Sequence, residues 1–100
     1  MDVDAIVFAR LSLQRALLGC VSANFRAVVF TREANFLHIR FYIGGEISEN
    51  EYELSSFVEA EVLADYCSDC EVLAECLRVD YPAPIDDSGV WVFQRQEPPI

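Results

Sequence analysis

Phe36-Leu37-His38-Ile39-Arg40-Phe41-Tyr42-Ile43 is the stretch that decides the fold. Leu37, Ile39, Phe41 and Ile43 alternate with Phe36, His38, Arg40 and Tyr42, the period-two pattern of a strand with one face in a core. Gly44-Gly45 breaks the pattern. Upstream, Asn24 to Arg32 alternates as well, with Phe25, Ala27 and Val29 set against Arg26, Val28 and Phe30. Glu33-Ala34-Asn35 reads as a turn, so the two strands form a hairpin.

The flanks change period. Asp4 to Leu18 reads as a helix: Ile6, Leu13 and Leu17 share one stripe, with Val7, Leu11 and Leu18 beside it. Asp2 and Asp4 sit at its positive end and Gly19 stops it. Beyond the hairpin, Ser48-Glu49-Asn50-Glu51 is a capping box that opens a second helix, running to about Tyr66. Glu71 to Asp80 is a third strand, ended by Pro82 and Pro84. Asp86-Asp87-Ser88-Gly89 turns the chain into a fourth strand, Val90 to Arg95. The order αββαββ predicts an α+β fold with two helices packed on one face of a four-stranded, mainly antiparallel sheet. One hundred residues fit a single domain, 1–100, with 95–100 as a loose tail.

The 53% apolar content is enough for a core. No apolar run reaches the roughly 18 residues of a membrane span. Met1-Asp2-Val3-Asp4 is acidic where a secretion signal is basic, so the expected location is the cytoplasm. The net charge is −10, and it is concentrated. Glu46 to Asp87 holds thirteen carboxylates and one base, Arg78, whereas residues 1–45 carry more Arg than acid. An acidic stretch with a hydrophobic pattern repels phosphate and attracts basic protein surfaces, which argues for protein binding and against nucleic acid.

On a helical wheel the second helix places Leu54, Phe57, Val58 and Val62 toward the core, bordered by Tyr66. Glu49, Tyr52, Glu53, Ser56, Glu59 and Leu63 face outward. Carboxylates around an exposed tyrosine and leucine suit an interface, the acids steering a basic partner and the apolar groups anchoring it. A plain solvated face is the simpler alternative. The expected partner-binding residues are Glu49, Tyr52, Glu53, Glu59, Leu63, Asp69 and Trp91. Glu61 and Asp65 fall inside the apolar arc, as Arg10 does on the first helix. A buried carboxylate needs a partner, so an Arg10–Glu61 pair between the helices is expected, with Asp65 nearer the rim.

Cys67-Ser68-Asp69-Cys70 is one CxxC without a second knuckle; Cys20, Cys76 and His38 have no paired spacing with it. It follows a helix C-terminus among acids, which disfavours thiolate. His38, the only histidine, has no nucleophile at a recognisable spacing. No catalytic residue, metal or cofactor is expected. The sheet face away from the helices should be open, showing Phe36, His38, Arg40, Tyr42, Arg26 and Trp91, a surface suited to a homodimer contact.

Several segments together carry a family resemblance: Leu13-Gln14-Arg15-Ala16-Leu17-Leu18-Gly19, Ile39-Arg40-Phe41-Tyr42 followed by Gly45-Glu46-Ile47-Ser48-Glu49, Val58-Glu59-Ala60-Glu61-Val62-Leu63-Ala64-Asp65, Arg78-Val79-Asp80-Tyr81-Pro82 and Gly89-Val90-Trp91-Val92-Phe93. The pattern resembles small bacterial immunity proteins of the colicin-like or contact-dependent growth-inhibition type. It is a similarity of pattern across most of the chain, and Cys67, Cys70 and Cys76 are not part of it. The resemblance implies a small α+β protein that binds and blocks the toxin domain encoded beside it. Many such toxins are basic nucleases, which suits an acidic, non-enzymatic inhibitor. The alternative reading is a homodimeric interaction module that uses its Arg and aromatic sheet face.

Overall fold

The computed structural model describes residues 3–66 and 70–99. Its elements run α1 (Val3–Ala16), β1 (Phe25–Glu33), β2 (Phe36–Ile43), α2 (Glu49–Ala64), β3 (Glu71–Arg78) and β4 (Val90–Gln94). This is the expected αββαββ order. The sheet order is β3-β2-β1-β4. β1 pairs antiparallel with β2 and with β4, while β2 and β3 run parallel. The parallel pair follows from the connection: a helical crossover returns the chain to the same edge in the same direction.

Both helices pack on one sheet face. α1 buries Ala9, Ser12, Leu13 and Ala16, one stripe at helical spacing, and Leu17 continues it. α2 contributes Val58 and Val62. Leu37, Ile39, Phe41 and Ile43 of β2 are all fully buried beneath them. Each such side chain contributes about 1.5–3 kcal/mol on leaving water. The alternation of β1, however, breaks at its start. The register shifts between Phe25 and Ala27. That bulge puts Phe25, Val28 and Phe30 in the helix-side core and Ala27 and Val29 on the other face.

The second face is not open, which corrects the sequence reading. The connection from β3 to β4 folds over it, and Ala27, Val29 and Tyr42 pack there against Leu77, Val79, Ile85 and Trp91. The tail lies here too: Arg95 donates its backbone N–H to Arg26 O at 2.8 Å, and Tyr81 donates its hydroxyl to Pro98 O at 2.7 Å. At the β3-side margin of this face Phe36 and Leu73 remain 38% and 47% exposed. The sheet surface expected to support a homodimer is therefore largely occupied by the chain itself.

Candidate functional site

The rotation of α2 is set at its first turn. Ser48 is the N-cap of a capping box. The Glu51 carboxylate folds back to accept the Ser48 backbone N–H at 3.0 Å and the Ser48 hydroxyl at 2.6 Å. These bonds hold the buried Glu51 carboxyl below its usual range, against the opposing effect of burial. Glu51, Ser55, Val58 and Val62 form the inward stripe. Ser55 donates to Tyr52 O at 2.9 Å, and its Oγ lies 3.3 Å from Cys76 Sγ, so a small residue lets the helix settle close on β3.

Everything opposite that stripe faces water. Glu49, Glu53 and Glu61 are exposed. Tyr52 and Leu63 flank Glu49 and Glu53 on one side at 53% and 46% exposure, and Phe57, 52% exposed, stands on the other side with Glu61. Phe57, expected in the core, is part of the outer face. The physical reason is that a glutamate and a serine, Glu51 and Ser55, take inward positions beside Val58 and Val62, which rotates the stripe away from Phe57. α2 contains no base, and no ion pair engages Glu49, Glu53 or Glu61 among the described residues. Like charges four apart, such as Glu49 and Glu53, cost a helix about 0.2–0.5 kcal/mol, a cost that the helix dipole offsets at Glu49 in the first turn and leaves unoffset at Glu53 and Glu61.

Not every expected contact residue is free to bind. The Glu59 carboxylate accepts the Ala74 backbone N–H at 2.6 Å, closing off a donor of the edge strand β3. Trp91 is half-buried against the second face, and its indole N–H donates to Asp87 O at 3.0 Å. Asp69 lies outside the described residues, as does Cys67. Arg10 and Glu61 are both exposed and do not pair. The bond between helices joins Arg15 to Asp65 instead, and Ser12 donates to the same carboxylate at 2.6 Å. Asp65 is held below its usual pKa chiefly by that serine. The physical reason for the change of partners is rotation: the contact between helices runs through Ser12 and Arg15, one turn beyond Arg10.

The second face holds two internal arginine clusters that the sequence did not announce. Arg40 grips Asp87 through Nε at 2.6 Å and Nη2 at 3.0 Å, and the Tyr42 hydroxyl donates to Asp87 at 2.7 Å. The Asp87 carboxyl is held far below its ordinary range, mainly by Arg40. Tyr42 is pushed up to about 12, first by burial and then by the bond to Asp87. Arg26 grips Glu97 at 2.7 and 2.9 Å and donates to Val79 O and Ala83 O. Glu97 falls to about 2. These clusters fasten the β3–β4 connection and the tail. A groove of about 390 Å³ lies beside the Arg26–Glu97 pair, with Tyr81, Trp91, Pro84 and Pro98 among its walls.

Cys20 is in the core, and burial pushes the Cys76 thiol up. Among the described residues no three His, Cys, Asp or Glu side chains are grouped to hold a metal ion. His38 stands 3.1 Å from a Glu75 oxygen and stacks on Phe36. No helix among the described residues is long and apolar enough to cross a membrane.

A small α+β sandwich that presents an acidic helix without bases, and fastens its long connection and tail with the Arg40–Asp87 and Arg26–Glu97 pairs, has the build of a protein that meets another macromolecule. A family model matches residues 8–97, and the chain belongs to that family, the MafI2 immunity proteins. No curated protein matches it. Membership implies that the chain binds a cognate toxin.

Proposed function

We propose that the chain neutralises a cationic, nuclease-type toxin domain by covering it with the outer face of α2, without catalysis of its own and in the cytoplasm. The observation that carries this reading is that one helix exposes three carboxylates, Glu49, Glu53 and Glu61, which enter no ion pair among the described residues, together with three apolar side chains, Tyr52, Phe57 and Leu63. The acids stand where a nucleic-acid phosphate would meet a basic cleft and speed encounter. The apolar groups supply the desolvated centre that holds the complex. Asp69, a few residues beyond α2 in sequence, adds to the same charge. Glu59 supports this surface from behind through its bond to the Ala74 backbone of β3.

The test is survival. Cells expressing the toxin domain encoded beside this chain are counted with and without the chain. Rescue that requires the chain is expected. Toxicity that persists in its presence would sink the reading. With purified partners, association should slow as salt rises through the range where the Debye length drops from about 10 to 3 Å.

A further inference from the structure

The outer side of α1 is apolar where a surface helix is normally polar. Val3, Val7, Leu11 and Leu18 are 71%, 47%, 60% and 78% exposed. The stripe runs Val7-Leu11-Gln14-Leu18, spaced four, three and four residues, which is the seam spacing of paired helices. It continues past the end of α1, because Leu17 N–H still bonds to Leu13 O at 3.0 Å and Leu18 N–H to Arg15 O at 3.2 Å. At its far end is a cavity of about 400 Å³ between Leu17, Leu18, Val21 and Phe93.

We infer that α1 is a self-association surface, and that its occupant is the α1 of a second copy packed antiparallel across a two-fold axis. Charge selects this occupant. Two chains of −10 cannot bring their α2 faces together without stacking carboxylates. From Val3 to Val21 the only charged residues are Asp4, Arg10 and Arg15, so this is the side on which two copies can approach. A cationic partner, in contrast, is drawn to α2. The seam is also self-complementary. An axis between Leu11 and Gln14 sets Leu11 of one copy against Gln14 of the other, and Val7 against Leu18. Val3 of the second copy then falls near the cavity at Val21. Gln14 is the single polar residue in the seam, a position that fixes register at a cost in affinity. The arrangement leaves both α2 faces outward.

The mass of the full-length chain, measured by light scattering over a dilution series without toxin, tests this directly. Twice the 11.3 kDa of one chain is expected at high concentration. Leu11→Glu, at an exposed position, should give a monomer with an unchanged circular dichroism spectrum. Gln14→Leu should tighten the dimer by about tenfold or more. A wild-type monomer at every concentration, or a dimer that Leu11→Glu leaves intact, would overturn the inference. So would a monomer in which Leu11→Glu abolishes toxin binding, because the stripe would then belong to the toxin.

Discussion

Arg40, in the middle of the sheet, and Asp87, in the connection that covers it, form a two-bond ion pair whose side chains are only 11% and 7% exposed. The pair joins the sheet to the segment that closes its second face. It explains why that face, although lined with arginine and aromatic residues, does not serve as an open platform. The Asp87 carboxylate also accepts the Gly89 backbone N–H at 2.8 Å, so the turn into β4 is built around the same group.

Breaking this pair from one side should be expensive. Asp87→Ala leaves Arg40 buried without its counter-charge, and a loss of about 3–5 kcal/mol is expected in urea unfolding. Arg40→Met should cost a similar amount. The double variant should recover part of the loss, because neither charge is then left alone. Single and double losses that simply add would show that the two groups act independently.

Acid should unfold the protein through these carboxylates. Asp87, Glu97 and Glu51 all have folded pKa values below their ordinary ones. Their stabilisation is therefore present above the unfolded pKa and is lost as pH falls through the folded value. For Glu97 that window runs from 4.5 down to about 2. The urea midpoint should fall steadily across it. A midpoint that is flat between those values would contradict the account.

Gly89 has no room for a side chain. A Cβ there would lie 2.7 Å from Phe30 O and from Arg40 Nη2, and 2.8 Å from Val29 Cγ1. Because backbone is one of the obstacles, Gly89→Ala is expected to cost about 1–3 kcal/mol by thermal melting. An unchanged melting temperature would mean that the turn yields easily.

Phe57 separates the two roles of α2. At 52% exposure, Phe57→Ala should change stability by under about 1 kcal/mol. If Phe57 is an anchor, the same change should weaken toxin binding by about 2 kcal/mol, read as the rise in Kd on titration. Glu59→Lys should behave in the opposite way and lower the melting temperature, because the Ala74 amide loses its acceptor.

The element order was legible because each signal was local. The alternation over Phe36 to Ile43 and the Ser48–Glu51 box are the clearest, and both stand in the structure as read. Rotation was less legible. A helix stripe read one position off exposes Phe57 and moves the helix–helix bond from Arg10–Glu61 to Arg15–Asp65. The bulge near Arg26 likewise reversed which residues of β1 face the helices, and a bulge leaves no period to read. The covered second face was not legible because it depends on contacts more than forty residues apart, such as Arg40 with Asp87. The acidic outer face of α2 was legible from charge alone, since it needs no tertiary contact to exist.

The measurement that bears most directly on the central claim is the affinity of the purified toxin domain for two forms of this chain: wild type and Glu49→Lys/Glu53→Lys/Glu61→Lys. None of the three glutamates is engaged in an ion pair among the described residues, so the triple variant should stay folded and melt only a little lower, the loss coming from a cation at position 49 in the first turn of α2. The account predicts that the triple variant binds about a hundredfold more weakly, mostly through slower association at low salt. Equal affinity in the two forms would contradict it, and would place the toxin on another surface of the protein.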